Sequence, residues 1–184
     1  MPPKVKISKE EIVQTALELL KNGGESAINA RNIAKALNCS TQPIFSNFID
    51  MQELQTAVVN RAYEVYVGFL KREAETGKYP AYKSFGMAYI RFAKEETQLF
   101  KLLFMCDRKG EKLNPSADFY QSVEMIIQAN GVTREQAETI HFEIWICVHG
   151  IATMVATCFL TLEWEEISQI LTDVYQGIRA KFVK

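Results

Sequence analysis

Apolar positions recur with helical period along nearly the whole chain, and the breaks between them carry Gly, Pro or Asn. Ile12, Val13, Ala16, Leu17 and Leu20 form one stripe, the spacing of a helix that buries a single face. Ser8 and Glu11 stand in front of it as an S-x-x-E capping box. Asn22-Gly23-Gly24 closes it, because glycine accepts the left-handed conformation of a C-cap. A second, short helix follows, capped by Asn29, with Ala30, Ile33, Ala34 and Leu37 on one face. Asn38 stops it, since Asn tolerates positive φ better than most residues. A third helix is predicted from about Thr41 to Phe48, with Ser40 as its cap and Pro43 in its first turn, where a missing N–H costs no helical bond.

The remainder repeats the pattern. A long helix is expected over about 51–75, broken by Gly77 and Pro80, then helices over about 81–94, 96–105 and 116–129. Between the last two, "CDRKGEKLNPS" reads as a polar, mobile loop. Thr133 and Gln136 make a second capping box, opening a very apolar helix to about Phe159. A last helix covers about 163–182. Alternating β-branched strands are missing, so the fold class is all-α.

Composition narrows the function. The 184 residues suffice for one large domain or two small ones. At 48% hydrophobic, the chain reads as having no apolar run that would span a membrane and no secretory h-region, which places it in the cytoplasm. A net charge of −1 argues against indiscriminate coating of nucleic acid. Residues 1–47 nevertheless hold six cations against four carboxylates, a local +2 that leaves −3 for the rest. The four cysteines form no CxxC pair and there are two histidines, so no metal site and no cofactor are expected. No nucleophile–base spacing, phosphate loop or H-x-x-x-H is visible, so an all-helical enzyme is the weaker alternative.

The third helix is the informative one. On a helical wheel Ile44 and Phe48 point one way, while Gln42, Phe45 and Ser46 cluster opposite, flanked by Thr41 and Pro43. Burial alone would not need that polar face. Two short helices joined by a tight turn read as a helix-turn-helix, whose second helix enters the DNA major groove. Gln suits adenine, Thr several base edges, and an apolar ring or Pro a thymine methyl. Base contacts are therefore expected from Thr41, Gln42, Pro43, Phe45 and Asn47. Phosphate contacts are expected from Lys4, Lys6, Asn29, Ser40 and Ser46, with Lys9 also in reach.

These residues resemble a known family. "EEIVQTALELLKNGG" followed by "ARNIAKALNCSTQPIFSNFIDMQEL" is similar to the DNA-binding domain of tetracycline-repressor-like (TetR) transcriptional regulators. Arg31-Asn32-Ile33-Ala34, Ser40, Ile44-Phe45, Phe48 and Leu54 fall on the family pattern in one unbroken register of about 45 residues. Three positions depart from it: Asn38 stands where Gly is usual, Phe45 where Tyr is usual, and Met51 where Lys is usual. The last two substitutions remove phosphate partners, which implies weaker binding and a flatter salt dependence.

The resemblance implies a DNA-binding domain over 1–54 and a ligand-binding and dimerisation domain over 55–184. It implies a homodimeric repressor on a palindromic operator, released by a small, largely apolar effector. "WICVHG" resembles the W-x-x-x-H-G signature of one C-terminal domain type in the family, with Trp145 and His149 on one helical face. Small residues from Gly150 to Thr157, with Ile167, Ile170, Leu171, Val174 and Ile178 of the last helix, suit a four-helix bundle across a two-fold axis. A pocket is expected to draw on Tyr89, Phe92, Phe104, Tyr120, Trp145 and His149, with His141 a further polar candidate. An oxidant acting on Cys147 or Cys158, or a protein partner, is the alternative effector. The two thiols are eleven apart, about three turns, and are expected to share a face of one helix.

Overall fold

A computed structural model describes residues 7–107 and 117–183. Lys4, Lys6 and most of the polar loop before residue 117 lie outside the described residues. Among those described, every regular element is helical: α1 (Lys9–Gly23), α2 (Ala30–Ala36), α3 (Gln42–Asn47), α4 (Met51–Glu75), α5 (Ala81–Glu95), α6 (Thr97–Phe104), α7 (Ala117–Asn130), α8 (Arg134–Ala156) and α9 (Trp164–Arg179), with a single 3-10 turn at Glu25–Ala27.

The predicted caps of α1 and α8 form. The Ser8 N–H donates to the Glu11 carboxylate at 2.8 Å while the Glu11 N–H donates to the Ser8 Oγ at 3.2 Å. Thr133 and Gln136 repeat the arrangement at the start of α8. Gly24, at φ +71°, closes α1 by donating its N–H to the Leu20 carbonyl. Two expectations need correction. Ser40 does not cap α3: Thr41 occupies the cap in helical conformation, and its carbonyl accepts the N–H of Ile44. α8 ends at Ala156 rather than Phe159, because Cys158 adopts φ +55° and turns the chain. Cys147 and Cys158 therefore do not share a helix face.

The chain divides into two compact units. The first comprises residues up to Val67 together with Glu96–Cys106. It contains α1 to α3, residues 51–67 of α4, and α6, which packs on α1. Its core is the α1 stripe, Ile33, Ile44, Phe48, Leu54, Val58, Ala62, Leu99 and Phe100. Lys21 Nζ meets the Glu96 carboxylate at 2.9 Å.

The second unit comprises Gly68–Glu95 and the residues from Asp107 onward. Within it α8 packs against α5, α7 and α9. Gly86 of α5 permits a close crossing: a Cβ there would stand 3.2 Å from Leu171 of α9 and 3.3 Å from Val148 of α8. Gly150, by contrast, faces open space within the chain. Lys83 Nζ donates to Ser168 and Thr172 at 2.7 Å each, tying α5 to α9.

α8 also corrects the hydropathy reading. Its 23 residues are long and apolar enough to cross a membrane by length and composition. In this fold 33% of its most apolar window is buried by the rest of the chain.

Candidate nucleic-acid interface

Ile44 has no solvent exposure and Phe48 is buried, so α3 is anchored through the two positions of its apolar side. Gln42, Phe45 and Ser46 are exposed on the other side, and Thr41 and Pro43 are half-buried. The polar face read from the sequence is thus presented outward.

Several of the named side chains also have internal partners. Ser46 Oγ donates to the Gln42 carbonyl at 2.9 Å. Asn47 Nδ2 donates to the carbonyls of Pro43 at 2.8 Å and Ile7 at 3.3 Å, tying α3 to the entry of α1. Asn29 Oδ1 accepts the Asn32 N–H at 2.9 Å and caps α2. Ser40 is exposed. Lys9 is more committed than the sequence suggested: its ammonium meets Glu53 at 2.7 Å and lies 4.5 Å over the Phe48 ring. Glu53 in turn accepts the Ile49 N–H at 2.7 Å. These bonds hold the Glu53 carboxyl below its ordinary pKa, Lys9 being the larger cause. Ile49, beside the recognition face and almost wholly exposed, went unnoticed in the sequence. Its place directly after Phe48, at the end of α3, was the available signal.

Asn38 adopts φ +51°, as the turn between α2 and α3 requires. Met51 opens α4.

The residues expected around an effector separate into groups. The Tyr89 hydroxyl and His149 Nδ1 are 2.9 Å apart, joining α5 to α8. Trp145 stacks on His149 with centroids 5.3 Å apart and planes at 15°, and Phe142 stacks on Trp145 in turn. Phe92 is fully buried and meets Phe69 edge-on. Tyr120 is exposed. Phe104 belongs to the first unit, against Tyr66 and Phe100. His141 makes a second such pair: its Nδ1 is 3.0 Å from the Tyr82 hydroxyl, and Phe119 covers its ring. Burial lowers the pKa of both histidines. Burial also raises the Tyr82 phenol.

An N-terminal helix-turn-helix with an outward polar recognition face, followed by a helical C-terminal domain, defines a DNA-binding transcriptional regulator. Residues 82–174, half of the chain, match the family model described as tetracyclin repressor-like, C-terminal domain. That span includes Trp145 to Gly150. Solved structures share the fold. A protein of unknown function from Rhodococcus sp. RHA1 superposes with a TM-score of 0.74 at 20% identity, over 100% of both chains. A TetR-like transcriptional regulator from the same organism gives 0.69 at 15% identity, over 96% of both. SmeT, the repressor of a Stenotrophomonas maltophilia multidrug efflux pump, gives 0.54 at 14% identity, over 97% of this chain and 92% of that one. No curated protein matches the sequence significantly. The chain belongs to the tetracyclin repressor-like (TetR) family of transcriptional regulators.

Proposed function

We propose that the protein is a cytoplasmic repressor that binds a palindromic operator as a homodimer and is released by a small, largely apolar effector. The observation that carries the reading is the two-sided α3: Ile44 and Phe48 buried, Gln42, Phe45 and Ser46 exposed. A helix so anchored presents base-reading chemistry at fixed orientation. Residues 1–54 act as the DNA-binding domain and 55–184 as the effector and dimerisation domain. Thr41, Gln42, Pro43, Phe45 and Asn47 read bases. Lys4, Lys6, Asn29, Ser40 and Ser46 hold phosphates.

The dimer reading rests on α8. Phe142, Trp145, Ile146 and Met154 leave an exposed apolar surface there, with half-buried Ile170, Val174 and Ile178 on α9. Apolar surface of this kind is what an isologous interface covers. Two recognition helices about 34–36 Å apart then match one turn of DNA. The effector must bind the released conformation more tightly than the operator-bound one, and by linkage the operator weakens effector binding equally. SmeT is named as an efflux-pump repressor, which supports repression by a fold of this kind.

The test is selection of bound sequences from random duplex DNA by the purified full chain near physiological salt. A two-fold symmetric motif is expected. A folded protein that enriches no sequence, with no bound small molecule detected by mass spectrometry of the denatured sample, would defeat the proposal.

A further inference from the structure

The first unit holds a cleft of about 300 Å3 between the 3-10 turn at Glu25–Ala27, α4 and α6. Ile28 and Val58, both buried, form its floor. Its walls still face solvent: Val59 of α4 is 37% exposed, and Leu102 of α6 is half-buried. Tyr63 and Met105 stand one turn further along the same two helices, and both are exposed. Another turn on, Tyr66 of α4 meets Phe104 of α6 edge-on with ring centroids 5.2 Å apart. The cleft therefore opens a groove between two helices in contact. Its apolar walls are surface that the chain itself leaves uncovered, and burying it against a ligand is favourable.

The polar end of the cleft is made of acceptors. Among the described residues Glu25 is the one charged group that lines it, and its carboxylate meets no cation there. Thr56 lies on α4, and its hydroxyl donates to the Gln52 carbonyl at 2.9 Å. That commits its hydrogen and leaves the oxygen lone pairs to accept. Gln55 adds an amide, whose carbonyl is a further acceptor. An unpaired carboxylate beside neutral acceptors repels an anion. It suits an ammonium group, which carries three donors and no acceptor, and charge-assisted hydrogen bonds are the stronger kind.

We propose that this cleft binds a small primary amine, in its ammonium form, with an apolar body. The ammonium pairs with Glu25 and donates to Thr56 Oγ1. The body lies against Val59 and Leu102. Size permits it, since a cavity of about 150 Å3 suffices for benzene. The site lies wholly within the first unit and does not rest on the effector position proposed above.

Calorimetric titration of the full chain with 2-phenylethylammonium chloride tests this. Saturable binding is expected at roughly millimolar concentration, the range open to so small a ligand. Glu25→Gln should weaken it about tenfold or more, and Val59→Ser should weaken it severalfold. Glu18→Gln, which removes an exposed carboxylate of α1 outside the cleft, should leave it unchanged. Glu25, Val59 and Glu18 are all exposed, so each variant keeps its fold, which circular dichroism verifies. 2-Phenylethanol, the neutral analogue, and methylammonium, which lacks the apolar body, should each bind far more weakly. The proposal is overturned if 2-phenylethylammonium fails to saturate by about 10 mM. It is equally overturned if Glu25→Gln or Val59→Ser binds as well as the native chain, if Glu18→Gln loses as much as Glu25→Gln, or if either analogue matches 2-phenylethylammonium.

Discussion

The two faces of α3 make opposite demands, and two single substitutions separate them. Ile44 has 0% exposure on a helix of six residues. Ile44→Ala removes three buried carbons, worth about 2.4 kcal/mol at about 0.8 kcal/mol each in transfer free energy. The cavity left behind adds to this, giving roughly 3–4 kcal/mol, within the range measured for such truncations. Against a total stability of about 5–15 kcal/mol, that is a large fraction. Gln42 is exposed and makes no side-chain hydrogen bond within the described residues. Gln42→Ala should therefore change stability by less than about 0.5 kcal/mol. On DNA the expectation reverses. Gln42→Ala should relax preference at one base pair per half-site by about 1–3 kcal/mol. Urea denaturation followed by circular dichroism gives the first quantity, and competition binding on variant operators gives the second. An Ile44→Ala midpoint indistinguishable from the native one would refute the anchoring argument. So would a Gln42→Ala protein as destabilised as Ile44→Ala.

Three further outcomes are expected. Glu73, only 6% exposed in its side chain, loses its partner in Arg91→Met, which should cost about 3 kcal/mol. Adding Glu73→Gln should restore most of it in a double-mutant cycle by urea denaturation, and additive losses would contradict the pairing. Asn38 is exposed at φ +51°, so Asn38→Ala should lose about 1 kcal/mol in the left-handed region. Asn38→Gly should be nearly neutral, its strain relief offset by chain entropy, and an unchanged Asn38→Ala melting temperature would count against the turn geometry. Burial depresses the folded pKa of His141 and His149. Their contribution is then fully present above the ordinary His value of about 6.5 and lost as pH falls through the folded values. The urea midpoint should decline from about pH 6.5 toward 5, above the range where Glu11 and Glu53 titrate. His141→Gln should flatten that decline, and a native profile level across the window would refute it.

Much of this molecule is legible without coordinates because its determinants are local. The α1 stripe, the boxes Ser8/Glu11 and Thr133/Gln136, the cap at Asn29 and the positive φ at Asn38 each depend on residues within a turn or two of one another. The inward and outward sides of α3 follow from the same 3.6-residue period. Where local rules offered two solutions, the sequence reading missed by little: Thr41 rather than Ser40 at the α3 cap, and α8 stopping at Ala156.

What only the tertiary structure decided are the pairings between helices distant in sequence. Tyr82 meets His141 and Tyr89 meets His149 across α5 and α8. Lys83 finds Ser168 and Thr172, Arg91 closes over Glu73, and Gly86 admits Leu171 and Val148 side chains close to its backbone. α6 packs on α1, and Phe104 meets Tyr66 and Phe100 within the first unit. Periodicity states which face of a helix is buried but not against what. That choice is made by ridges and grooves on two helices at once, and no stretch of neighbouring residues encodes it.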